Sequence, residues 1–187
     1  MIATEHGVYS TGGYDDTYMS NARSETWFLA KGSSGWKPEP DLISARSGHA
    51  CGSFTFNNNT VLVISGKTGG QIISSTEFLN LGEENRAWQL GPQLPYVSVE
   101  QYGHRIVSNE ESLYYINTFG NMFYKLMCPD PELLSNCYWE SLINAELKYP
   151  RSWAVALMLP EDMLNMVNCK TLSTTASTTT TRTNHLS

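Results

Sequence analysis

Apolar positions in this chain come in short runs, many of them alternating with polar ones, and Asn or Gly clusters cut each run before it reaches helical length. The clearest stretch is 46–88. It reads Arg-Ser-Gly-His-Ala-Cys-Gly-Ser-Phe-Thr-Phe, turns at Asn57-Asn58-Asn59, continues as Thr-Val-Leu-Val-Ile-Ser-Gly, then Ser74-Ser-Thr-Glu-Phe-Leu-Asn, and closes on Arg86-Ala87-Trp88. Asn and Gly tolerate the positive φ of tight hairpin turns, so these runs predict four antiparallel strands. One such sheet leaves an apolar face uncovered, and the chain supplies further copies.

Trp36, Trp88 and Trp139 recur 52 (88 − 36) and 51 (139 − 88) residues apart, and Gly13 and Gly66 each end an apolar run 53 (66 − 13) apart. His49 and His104, each preceded by Gly, stand 55 (104 − 49) apart. A period of about 50 residues with four short strands is that of a kelch propeller blade. The residues agree: an Arg-x-x-His near the first strand, an apolar strand ending in small residues and glycine, a Glu-aromatic pair in the third strand and a tryptophan in the fourth. Over 7–158 the chain resembles the kelch-repeat β-propeller family. The fold this implies is all-β, a partial propeller of about three four-stranded antiparallel blades in a segment 1–165, followed by a disordered Ser/Thr-rich tail at 170–187.

Taken in order, the first blade covers 7–36 and is expected to lack its first strand, because Gly7 to Gly13 matches a second strand. Trp27 falls in its third strand and Trp36 leads its fourth. The second blade covers 46–88, with Ser65-Gly66 in place of a double glycine. The third covers 102–139, and Tyr149-Pro150-Arg151-Ser152-Trp153 leads a final strand at 151–158. Three strands, four, four and one predict a segment of a larger propeller, or two chains completing one ring. Each repeated tryptophan is expected to be a packing knob between blades, a large apolar ring with a polar N–H.

Composition narrows the function classes. Hydrophobic residues make up 41% and aromatics 11%, a globular composition, whereas the tract after Leu172 has little to bury. With 12 Lys and Arg against 18 Asp and Glu, a net charge of −6 and no basic run, nucleic acid is not an expected partner. No segment approaches the ~18 apolar residues of a membrane helix, and the run Trp153 to Leu159 stops at Pro160. The first residues lack a secretory signal pattern. Cys128 and Cys137 bracket an eight-residue loop that a disulfide can staple. Together with the Asn58-Asn59-Thr60 glycosylation pattern and the Thr-rich tail they favour an extracellular location, with the cytoplasm as the alternative.

No Gly-x-Ser-x-Gly, Walker loop or His-Glu-x-x-His occurs, and the acidic pairs Asp15-Asp16, Glu83-Glu84 and Glu110-Glu111 fall in loops, so no enzyme activity is expected. His49 and Cys51, with His104 one repeat on, could hold copper or zinc; a histidine that recurs with the repeat and bonds a turn explains the same residues, and neither cofactor nor metal is expected. The resemblance implies a protein-interaction module whose partner meets the loops between second and third strands and between blades. The candidate contacts are Tyr14, Asp15, Asp16, Tyr18, Lys67, Gln71, Tyr96 and Tyr102, with Tyr18, Tyr96 and Tyr102 as anchors. The alternatives are a fragment of a galactose-oxidase-like copper oxidase, whose tyrosine and histidine ligands find no match here, and an intracellular adaptor of the kind that serves ubiquitin ligases.

Overall fold

A computed structural model gives the structure, which describes residues 1–15, 21–65, 73–95, 104–108, 112–117 and 122–142. Their regular structure is β apart from one 3-10 turn at Leu134–Asn136. Among the described residues twelve strands form three four-stranded antiparallel sheets, each in sequential order. The first holds β1 (Ile2–Thr4), β2 (Gly7–Thr11), β3 (Thr26–Ala30) and β4 (Lys37–Glu39). The second holds β5 (Ala50–Phe56), β6 (Asn59–Ser65), β7 (Thr76–Asn80) and β8 (Gln89–Leu90), and the third β9 (His104–Ser108), β10 (Leu113–Asn117), β11 (Met122–Met127) and β12 (Tyr138–Ser141).

The first sheet is therefore complete, which corrects the expectation of a missing strand. Ile2 pairs with Tyr9 and Thr4 with Gly7, across a two-residue connection at Glu5 and His6. Only three residues long, β1 is too short for an alternation signal, and its place comes from burying Ile2. Pro38 lies in β4 opposite Trp27, where an edge strand tolerates a residue without an N–H. The β5–β6 hairpin turns on Asn57 and Asn58, at φ 47° and 59°, as the asparagine run predicts. The final strand expected at 151–158 and the tail at 170–187 lie outside the described residues.

The second sheet is the middle layer. β6 is buried from Val61 to Ser65, and its continuous apolar run divides by strand alternation. Leu62 and Ile64 join Leu79 and Trp88 against Ile2, Tyr9 and Leu42 of the first sheet side. Val61 and Val63 join Phe54, Phe56 and Phe78 against Leu113, Tyr115, Tyr124, Leu126 and Trp139 of the third. The first strands of the sheets are neighbours, β1 beside β5 and β5 beside β9. Gly52 permits the second approach: a β-carbon there would come within 2.5 Å of Ile106 Cγ2.

Two tryptophans fasten the layers in the same way. Trp88 Nε1–H donates to the Pro40 carbonyl at 3.0 Å, and Trp139 Nε1–H to the Pro92 carbonyl at 3.2 Å. Each proline stands four residues after the preceding repeat's tryptophan. Both rings are buried, and the N–H of each is satisfied by backbone. Trp36 departs from the expectation of three equivalent knobs. It occupies the matching place in the first sheet but is 45% exposed, because it lies on the face turned away from the second sheet.

Candidate functional site

In each antiparallel sheet the connection between second and third strands leaves from the same end as the chain's exit from the fourth strand. Four such connections fall wholly or partly among the described residues: 12–15 with 21–25, 40–49, 73–75 and 91–95. At this end lies a buried ionic pair, Arg46 with Glu77, both at 0% exposure. Glu77 sits on β7 with its side chain toward the first sheet, the parity it shares with Leu79. Arg46 precedes β5.

The pair is fully hydrogen-bonded to its surroundings. Glu77 Oε1 accepts from Arg46 Nε at 3.0 Å and Nη2 at 2.9 Å, and from the Ser44 N–H at 3.1 Å, while Oε2 accepts from the Ile43 N–H at 2.7 Å. Arg46 Nη1 donates to the Ser75 carbonyl and Nη2 to its hydroxyl, each at 2.9 Å. Burial pushes the Arg46 guanidinium below its ordinary pKa, and the Glu77 charge and hydrogen bonds push it back up. A buried charge is tolerated only with such compensation.

Arg46 also ties the first sheet's loop to this frame through its backbone. Its N–H donates to the Arg23 carbonyl at 2.8 Å, and its own carbonyl accepts from Gly13 N–H at 2.7 Å. The chain passes so close that a β-carbon on Gly12, at φ +54°, would stand 2.4 Å from the Arg46 carbonyl oxygen. Only glycine suits both constraints. Three connections are thus held at their bases by one residue pair.

Of the residues expected to contact a partner, two lie in this described frame. Tyr14 is half-buried and bridges to Ala22, and Asp15 pairs with Arg23 at 3.2 Å, as Arg23 does with Glu25 at 3.0 Å. Exposed pairs of this kind contribute ~0–1 kcal/mol, so they shape the loop base more than they stabilise it. Asp16, Tyr18, Lys67, Gln71, Tyr96 and Tyr102 lie outside the described residues. Arg46 and Glu77 were missed as a unit, although the Arg-x-x-His and Glu-aromatic patterns contain both.

His49 and Cys51 do not converge. His49 Nε2 is 3.0 Å from the Thr11 hydroxyl, bonding the end of β2, whereas Cys51 Sγ lies 3.3 Å from the Met1 carbonyl oxygen and 3.5 Å from its amine. Cys128 and Cys137 form the disulfide the sequence allows, and Cys137 packs into the core between second and third sheets. At the opposite end of the sheets an open cleft of about 480 Å³ is lined by Thr4, Glu5, Ser53, Thr55, Thr60 and Ser108 among others. Comparison of the chain with known protein families and with curated proteins finds no match.

Proposed function

We propose that the chain is a non-enzymatic protein-interaction module of the kelch-repeat type, its three sheets forming successive blades of a propeller and its loop end forming the binding face. The observation that carries this reading is the Arg46–Glu77 frame. One buried pair fixes the bases of three loops of different sequence, and loops positioned by a rigid scaffold are where recognition sits. The sequential strand order of each sheet and the neighbouring first strands support the blade arrangement. The partner is a protein, met by Tyr14, Asp15 and Asp16, Tyr18, Lys67, Gln71, Tyr96 and Tyr102. The Cys128–Cys137 disulfide supports placement in an extracellular, oxidising setting.

Immobilised chain tests the reading against extracellular protein from its source. A specific protein should be retained, and Tyr18→Ala, Tyr96→Ala and Tyr102→Ala should together lower its retention at least tenfold with an unchanged unfolding midpoint. Retention indifferent to all three tyrosines overturns the assigned face.

A further inference from the structure

The open face of the first sheet follows a pattern the molecule uses twice elsewhere. Strand register places Trp36, Leu29 and Val8 in one row and Trp27 and Ser10 in the next. The corresponding rows of the second sheet carry Trp88, Leu79 and Leu62, and they bury against the first sheet. Those of the third carry Trp139, Leu126 and Leu113, and they bury against the second. In the first sheet Trp27 and Trp36 are instead 43% and 45% exposed. Two large rings side by side on a flat sheet are the kind of apolar patch that marks an interface.

The complementary half is on the chain as well. In the first and second sheets, the face that receives the next sheet's tryptophan row is the one bearing Tyr9 and Phe28, or Val63 and Phe78. The third sheet's matching face bears Tyr114, Ile116, Phe123 and an exposed Tyr138, 48% accessible. We infer that the first-sheet face docks onto the third-sheet face of a second copy of this chain, and reciprocally, as a head-to-tail pair. The two contacts repeat the sheet-on-sheet packing already present twice within the chain. The inference shares the radial arrangement with the proposed function but makes no use of the loop end, so self-association and partner retention fail independently.

Sedimentation equilibrium of the full chain over a hundredfold concentration range tests it. The expected result is a single assembly at twice 20.9 kDa. A monomer at every concentration overturns the inference, and so does an open ladder of larger species, since heterologous faces that do not close make filaments. Replacing Trp27 and Trp36 by Glu, both exposed positions, should weaken the dimer at least 100-fold with an unchanged circular dichroism spectrum. Tyr138→Glu should do the same from the other half, whereas a dimer broken by the tryptophan changes but indifferent to Tyr138→Glu would mean like faces meeting, against the head-to-tail arrangement.

Discussion

The two faces of the second sheet solve one packing problem with different chemistry. Toward the first sheet, Leu62, Ile64 and Leu79 are joined by two ion pairs, the buried Arg46–Glu77 and the partly exposed Arg86–Glu39, whose closest contact is 2.6 Å. Toward the third sheet the filling is aromatic: Phe54, Phe56, Phe78, Tyr115, Tyr124 and Trp139, with Tyr115 and Trp139 edge to face at 6.1 Å. Both sides also carry leucines and aromatic rings, Tyr9 stacking on Phe28 at 4.5 Å on the first-sheet side, and both use a tryptophan bonded to a proline carbonyl.

The difference falls in pairs of positions. Register matches Glu77 to Tyr124, and the residue three before His104, where Arg46 precedes His49, is Gln101. Arg86 stands two before Trp88 and reaches Glu39; its counterpart two before Trp139 is Cys137, and Glu39, three after Trp36, is matched by Gly91. Both members of each pair are exchanged together. For the buried Arg46–Glu77 pair physical chemistry requires this, because one charged member kept alone would be a desolvated, uncompensated ion.

The largest test of the contrast breaks the buried pair. Glu77→Ala should cost about 3–5 kcal/mol in urea unfolding, through the orphaned Arg46 and the unsatisfied loop amides, whereas Arg46→Met combined with Glu77→Tyr should cost less than either change alone. An additive double variant would deny that the positions act as a pair. Next, reducing Cys128–Cys137, which closes a loop of sequence separation 9, should remove about 2–3 kcal/mol. Leu126 and Trp139 should then lose hydrogen-exchange protection before Leu62 and Ile64; equal loss on both sides would show that the disulfide acts on the whole molecule rather than on the third-sheet side.

Trp88→Phe keeps most of the ring and removes the bond to Pro40, so a destabilisation of about 1–2 kcal/mol is expected, matched by Trp139→Phe at Pro92. Unequal costs would show that the surrounding chemistry, ionic or aromatic, sets the value of the shared bond. The smallest effect under ordinary conditions is that of pH. Burial raises the Tyr115 phenol above its ordinary value of 10.0, with the Tyr124 charge adding to the shift. The folded state therefore holds this proton more tightly than the unfolded chain does. Its contribution is complete below pH 10 and is lost as pH rises from there through the raised value. Tyr115→Phe should flatten that part of the alkaline decline in stability.

How much of this was legible in the sequence follows from the range of each interaction. The β5–β6 hairpin could be read because its signal is local, an asparagine pair between two alternating runs. The tryptophan period could be read because repetition multiplies a weak signal. β1 could not, since Ile2 to Thr4 is organised by burial against the second sheet rather than by its own pattern. Arg46 and Glu77 are 31 residues apart, and nothing near either reveals that stacking will bury both. The exposed Trp36 was misjudged for the same reason: a repeat fixes a side chain's register but not whether a neighbouring sheet stands opposite it.

The frame around Arg46 has one more property. What it grips in the connections is almost wholly main chain: the amides of Gly13, Ile43 and Ser44 and the carbonyls of Arg23 and Ser75. Every residue type except proline offers both groups. At Arg23, Ile43 and Ser44 side-chain identity is thereby uncoupled from the path of the chain, whereas Gly13 is held by its φ of 111° and Ser75 by its hydroxyl, so replacements at the first three can retune the surface chemistry while the route of the backbone is inherited unchanged.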